Sequence, residues 1–515
     1  MLEKERLERY KIILLSALLW GFCAHGMMLF NKYSFHDDSS LFTLGGTYYL
    51  GRWMLGILGD LSTWLFGSTY YSLPLFNGIL TILFIALCAM LLADLFQIKN
   101  RWLLVVLSGV MVVFPTITSG FGYMFTMPYY FLGTLLGVLG ACLSCRTKKW
   151  YLYLPGLLLM ACGVGTYQAM IPVFVSIILF YALMETARKE DTGWKEFFRI
   201  AGKSIVSCAG FMAIYFVIMN LSLVITGNRL SDYQGISTMG ATSIKGYIRR
   251  VLVAYREFFL PTDRVSGNMY PFSTDIVYRL FLILALIGTA NLLYRSWKKS
   301  RPLCLQVLVF AACIPLAVNF IYVMCTFEQV DSLMTYGEVM FYVYFAWLVE
   351  AGFLPELPIR KIGEKARCAL PAIGLGLLLL LNVMYIRFDN ICYLKAEVMQ
   401  SEGISYFTML ATQIKSVEGF TDETPVVYVN EFAKYDYTSG SISLQEFKEI
   451  EIVPYDSSSI LNNYAWRITM KIWCNFDPET LDASEYEELP EVQEMPCYPD
   501  SGSIQMIDGV IEVKF

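Results

Sequence analysis

Apolar residues in this chain gather in long runs, not at the spacing of a half-buried helix or strand. The first covers 12–30, and others follow near 74–96, 102–119, 127–145, 151–166, 167–184, 201–225, 276–294, 303–323, 338–355 and 369–386. Runs of about 18–22 residues match the helix length that crosses a bilayer core of roughly 30 Å. The pattern therefore predicts a mainly α fold, a polytopic membrane helical bundle of about eleven spans. The run at 151–166 is short, and Pro155 and Pro172 predict kinked or re-entrant geometry there. No small-residue cleavage site follows the first run, so it reads as an uncleaved span and not a signal peptide. The pattern changes after Arg387. Residues 389–418 read as an amphipathic helix continuing from the membrane, 425–430 as a buried strand and 457–473 as a helix. Residues 503–515 read as a hairpin, because Asp508-Gly509 is a preferred two-residue turn. The expected organisation is a transmembrane domain over 1–387 and a small α/β domain over 388–515. No internal repeat of the kind that marks many transporters is evident.

Composition sharpens this reading. The 515 residues are 56% hydrophobic and 16% charged, with mean hydropathy +0.51; soluble domains carry about 25% charged residues. A cytosolic globule, a disulfide-dense secreted domain and a disordered chain are excluded. The net charge of −5 hides a split: residues 388–515 hold 23 acidic and 7 basic side chains, a balance of −16, against +11 for the first 387. Such asymmetry implies two environments. Connections bearing Lys99/Arg101, Arg146/Lys148/Lys149, Arg188/Lys189/Lys195/Arg199, Arg295/Lys298/Lys299/Arg301 and Arg360/Lys361/Lys365/Arg367 alternate with connections poor in positive charge. The positive-inside rule places that set and the N-terminus in the cytoplasm. An odd number of spans then puts the acidic tail outside, with the loops at 31–73 and 226–275. Most cysteines lie in or beside apolar runs, where they act as small hydrophobes. Cys142 and Cys145 form a CxxC only formally, with no flanking His, while Cys474 and Cys497 in the tail leave a disulfide open.

Candidate chemistry collects in the outer loops. The first contains Tyr33-Ser-Phe-His-Asp-Asp-Ser-Ser40. Adjacent carboxylates beside a span should face water, a partner or a substrate. Asp37 and Asp38 suit a general base that takes a proton from an acceptor hydroxyl, or the oxygen ligands of a divalent cation such as Mg or Mn. They equally suit the cap of a helix beginning near Ser39. His36 reads as a substrate-binding or hydrogen-bonding neighbour more than a catalyst; the other histidine, His25, lies inside the first span. Residues 45–60 follow, rich in glycine and aromatics, and suit an interfacial helix with Trp53 at headgroup depth. Arg52 within it could meet an anionic lipid head, pair with Asp60 or snorkel. The 226–275 loop holds Arg229, Lys245, Arg249, Arg250, Arg256 and Arg264, an excess that breaks the charge rule for an outer loop. A lipid phosphate or pyrophosphate would account for it, since Arg makes bidentate contacts to phosphate oxygens. The bland alternative is an ordinary interfacial helix over 244–259. Glu328, Asp331 and Glu338 are further acidic candidates.

These residues carry a family resemblance. His36-Asp37-Asp38, then Gly51-Arg52-Trp53, with Phe114-Pro-Thr and Gly165-Thr-Tyr-Gln-Ala-Met-Ile-Pro172, resemble the glucosyltransferase-II-like family, over roughly residues 10–390. Those are bacterial multispanning glycosyltransferases of GT-C type that modify O-antigen and other surface glycans. The resemblance implies a polyprenyl-phosphate-linked sugar donor, glucose-bearing, a surface-glycan acceptor, and transfer on the extracytoplasmic side of the bacterial plasma (inner) membrane. It also implies an inverting displacement with Asp37 or Asp38 as base, the balance leaning to Asp38. Arg249, Arg250 and Arg256 rest on the charge argument alone as donor-phosphate residues. No nucleic-acid partner is expected. A lipid-linked-glycan flippase would place charge inside the spans, which are almost free of it. A membrane-anchored assembly scaffold would make the tail the working part.

Overall fold

The computed structural model describes residues 2–33, 36–39, 44, 46–190, 193–231, 242–261, 272–358, 367–430, 446–447, 450, 452–455 and 465–515. Gly45, Arg264, Arg360, Lys361, Lys365 and residues 457–464 of the expected tail helix lie outside them. The chain divides into two units, Met1–Phe30 with Phe42–Asn390 and Asn31–Leu41 with Ile391–Phe515.

The first unit is helical. In chain order it holds α1 (Leu2–Phe30), α2 (Trp53–Phe66), α3 (Pro74–Phe96), α4 (Arg101–Val113), α5 (Pro115–Phe121), α6 (Met127–Arg146), α7 (Trp150–Thr166) and α8 (Ile171–Ala187). Next come α9 (Trp194–Thr226), α10 (Ile244–Phe259), α11 (Phe272–Lys299), α12 (Arg301–Ala312), α13 (Ile314–Val318), α14 (Ile321–Met324) and α15 (Val339–Glu350). A short antiparallel pair, β1 (Glu356–Pro358) and β2 (Arg367–Ala369), precedes α16 (Leu370–Lys415), whose residues from Ile391 onward count with the second unit. Local chemistry sets the helix starts. Asn100 accepts from the Trp102 and Leu103 amides, Ser243 from Gly246 and Ser300 from Leu303, each satisfying donors that the first turn leaves open. Pro74, Pro128 and Pro172 stand in first turns, where a missing N–H costs nothing.

Eight helices among the described residues are long and apolar enough to cross a membrane, or nine with α4 and α5 as one broken span. The expected runs at 102–119, 151–166 and 338–355 differ from plain spans. Pro115 cannot donate to the helix before it, and the chain bends by 40° between α4 and α5. α7 has 17 residues and α15 only 12, closed by Gly352 at φ +70°. Pro172 starts α8 instead of kinking it, after a 3₁₀ turn at Gln168–Met170.

Charge and small residues join these helices. Arg6 and Arg9 of α1 reach Asp94 of α3 at 2.8 and 3.2 Å. α6 and α7 approach through glycines: a Cβ on Gly140 would stand 2.4 Å from the Gly156 carbonyl oxygen, and one on Gly163 2.7 Å from that of Gly133. In a bilayer, close backbone approach is a main source of helix association.

The second unit is built on a three-stranded sheet of order β3–β5–β4, with β3 (Val426–Val429), then α17 (Ala465–Cys474), α18 (Pro490–Glu494), β4 (Ile504–Ile507) and β5 (Val510–Lys514). β4 and β5 form the expected hairpin, with Asp508 (φ 48°) and Gly509 (φ 83°) as its turn. β3 lies parallel to β5, with Val427 opposite Glu512 and Val429 opposite Lys514. Val427 and Val429 pack with Val492 and Met495, while Tyr428, Trp466, Phe407 and Phe515 make an aromatic layer. Both faces of the central strand β5 are covered. Glu512 is consequently fully buried, neither carboxyl oxygen has a hydrogen-bond partner among the described residues, and burial pushes its pKa up to about 7.

Gly140→Val forces α6 and α7 apart and destabilises the chain by about 1–3 kcal/mol, read as a lower melting temperature in detergent. Gly202→Ala, with open space around its Cβ, leaves melting unchanged. Glu512 binds a proton more tightly folded than unfolded, so the second unit loses stability as pH rises from about 4.5 to about 7. Urea midpoints followed by proteolysis of the full chain should fall over that window, and Glu512→Gln should flatten the slope.

Candidate active site

The first-loop carboxylates belong to the second unit. Asp37 and Asp38 lie within a 3₁₀ turn, His36–Ser39. The two differ in setting. Asp37 is exposed, whereas Asp38 is fully buried and ion-paired with the Lys32 ammonium, which also donates to the Asp38 backbone carbonyl at 3.4 Å. Lys32 follows the end of α1 and escaped notice in the sequence because it reads as ordinary flanking charge. Its ammonium already neutralises Asp38. Among the described residues, no group of three or more His, Cys, Asp or Glu could hold a metal ion.

The first unit brings together segments distant in sequence. Gly51 turns the chain at φ +69°, and a Cβ there would stand 2.8 Å from Tyr215 Oη and 3.1 Å from Gln168 Nε2. Gln168 Nε2 donates to the Leu50 carbonyl (2.7 Å) and to Tyr215 Oη (3.1 Å), and Tyr215 Oη donates to the Gly51 carbonyl (3.2 Å). The next residue, Arg52, donates from Nη1 to Tyr130 Oη at 3.0 Å. Its guanidinium lies 5.8 Å from the Tyr130 ring centre and 5.2 Å from that of Tyr167, and these two rings stack at 4.3 Å. A planar cation beside a stacked aromatic pair, hydrogen-bonded to one of its hydroxyls, is held in position while keeping its charge. Trp53 is 4% exposed and sits where a Cβ on Gly165 would touch its ring at 2.5 Å. It is therefore buried in protein, contrary to the expected headgroup anchor. Asp60 accepts from Tyr48 Oη at 3.4 Å.

The Phe114-Pro-Thr segment is the break between α4 and α5. Thr116 Oγ1 bonds Thr335 Oγ1 at 3.0 Å, Ser119 Oγ bonds Ser332 Oγ at 2.5 Å, and Thr118 Oγ1 donates to Asp389 Oδ1 at 2.6 Å. Asp389 is fully buried, and its second oxygen has no hydrogen-bond partner among the described residues. Nothing in its local sequence marked it, since Thr118 is 271 residues away.

α10 has the expected bounds, Ile244–Phe259. Arg249 is exposed and Arg256, seven residues on, shares its side of the helix. Arg250 Nη1 donates to the Val323 and Met324 carbonyls at 3.3 and 3.2 Å. Arg256 pairs with buried Glu257 at 2.5 Å and stacks on Phe327. Glu257, Asp275 and Glu338 line a cavity of about 30 Å³, the scale of one or two waters and too small for a sugar.

The Lys32–Asp38 pair generates a stability prediction. Lys32→Met leaves a buried carboxylate without its cation and should destabilise the second unit by on the order of 2 kcal/mol, below the fully buried case because Lys32 is partly exposed. Lys32→Met/Asp38→Leu should recover much of that loss in the same urea titration; no recovery would mean the pair is not coupled.

The sequence model of the family described as Glucosyl transferase GtrII matches residues 26–342, well over half of the chain. That stretch includes the Leu50–Trp53 turn, the Pro115 break, the Tyr167–Gln168 segment and α10. No curated protein and no solved structure matches. With several helices long and apolar enough to cross a bilayer, the chain belongs to the glucosyl transferase GtrII family and is a membrane glycosyltransferase.

Proposed function

We propose that this chain moves glucose from a polyprenyl phosphate to a surface glycan on the extracytoplasmic side of the bacterial plasma membrane, in a GT-C-type bundle with a cytoplasmic N-terminus and an extracytoplasmic acidic domain. The observation that carries the reading is Arg52, fixed on two stacked tyrosines within the segment matched by the family. A guanidinium so placed suits the phosphate of a lipid-linked donor.

In the proposed step an acceptor hydroxyl oxygen attacks the anomeric carbon while a first-loop carboxylate takes its proton. The bond from that carbon to the phosphate oxygen breaks, configuration inverts, and polyprenyl phosphate leaves carrying the added charge. The exposure of Asp37 favours it as the base, with Asp38 and Lys32 as the strut that fixes the turn. His36 is kept as a substrate-binding neighbour. Arg249, with Arg250 and Arg256 on the same helix, serves to draw the donor's anionic head to the surface.

Asp37→Asn keeps shape and hydrogen bonding while removing basicity. Membrane vesicles supplied with polyprenyl-phosphate glucose should show transfer reduced by about 10²–10⁴-fold with normal insertion. Asp38→Asn should lose transfer together with stability. Near-normal turnover in both variants would remove the first loop from the chemistry.

A further inference from the structure

A cleft of about 530 Å³ opens in the first unit among the end of α6, the start of α7, and α8 and α9. It shares no residue with the Arg52 cluster. Four cations line it, Arg146, Lys148, Arg199 and Lys203, against Glu185 as the one carboxylate among its described lining residues. Three of the four are oriented by the protein. Lys203 Nζ donates to the carbonyls of Cys145 (2.9 Å) and Thr147 (3.0 Å), neutralising the carbonyl end of α6. Arg146 Nη2 donates to the Asp94 carbonyl at 2.5 Å, and Arg199 is forked onto Glu196 at 2.5 and 2.7 Å. Counting Glu185 and Glu196 against the four cations leaves a net positive charge of two.

The same cleft has apolar walls in Ile178, Ala182 and Val206. Val206 is 57% exposed and its neighbour Ile205 69% exposed, on a helix whose apolar stretch is largely uncovered by protein. Ser144, also in the lining, is 1% exposed, and its hydroxyl has no hydrogen-bond partner among the described residues. A basic mouth with a spare buried hydroxyl, beside an apolar helix face open to lipid, is the arrangement that accepts an anionic head with its chain alongside.

We infer that this cleft is a binding site for the phosphate head group of an anionic membrane phospholipid, whose acyl chain lies along α9. The connections that supply its charge, 146–149 and 188–199, are among the basic loops that the charge rule assigns to the cytoplasm. The lipid would thus bind on the face opposite the proposed transfer chemistry, as a structural ligand and not as donor.

The test uses the full chain, purified in detergent and stripped of lipid, with melting followed on addition of phosphatidylglycerol, phosphatidylcholine or inorganic phosphate. Phosphatidylglycerol should raise the melting temperature by roughly 3–5 °C at saturation, phosphatidylcholine and phosphate by much less. Arg146→Gln/Lys148→Gln should shift the half-saturating concentration at least about tenfold, since each lost charge-assisted contact carries that order of affinity. Ser204→Trp, which fills the cleft without changing its charge, should abolish the shift; if it does not melt cooperatively, the charge variant decides alone. Equal stabilisation by the two lipids, or an unchanged response in the charge variant, overturns the site. Full stabilisation by inorganic phosphate alone overturns the lipid assignment in favour of a free anion.

Discussion

The turn at Leu50–Gly51 is the constraint on which the candidate site depends. Two main-chain carbonyls there would lack partners in an apolar surrounding, and Gln168 and Tyr215 supply them. The positive φ of Gly51 and the absence of a side chain let both groups approach. The backbone so fixed projects Arg52 onto the Tyr130–Tyr167 stack and seats Trp53 against Gly165. Residues from α6, the α7–α8 junction and α9 thereby converge on a three-residue turn. A long, flexible cation becomes a fixed one, and a fixed charge stabilises a developing anion without reorganising.

The same physics explains the breaks in the helices. Interrupted helices are tolerated at membrane depth only where freed polar groups find partners in protein. The bend at Pro115 is surrounded by hydroxyls that bond across the fold, Thr116 to Thr335 and Ser119 to Ser332. Thr118 brings in Asp389 from α16. These contacts tie the first part of the family-matched segment to residues more than 200 positions away, so the break is a junction more than a flaw.

The sequence was most legible where the signal is local. The bounds of α10 followed from its amphipathic period, and the β4–β5 hairpin from Asp508-Gly509 between alternating residues. Long apolar runs located most of the spanning helices, but run length did not separate a full span from α15, which ends after 12 residues. The segments that carried the resemblance, Gly51-Arg52-Trp53 and Gly165–Pro172, prove to pack together, although nothing in their separate compositions required it. Trp53 was misplaced because an aromatic beside an Arg reads like an interfacial anchor, and only the partner Gly165 reveals a buried ring. Lys32 and Asp389 were invisible for the same reason: each acquires meaning from a side chain that folding brings to it.

The proposed role of Arg52 is to hold the donor phosphate while a sugar passes to a surface glycan. Mass spectrometry of surface glycans from cells lacking the chain decides whether it does, with complementation by the wild type and by Arg52→Lys. The deletion should remove a hexose from the glycan, wild type should restore it, and Arg52→Lys, charged but unable to fork or stack in the same way, should not. Glycans of unchanged mass in the deletion strain would rule out transfer to the surface glycan, and full restoration by Arg52→Lys would rule out the role of Arg52.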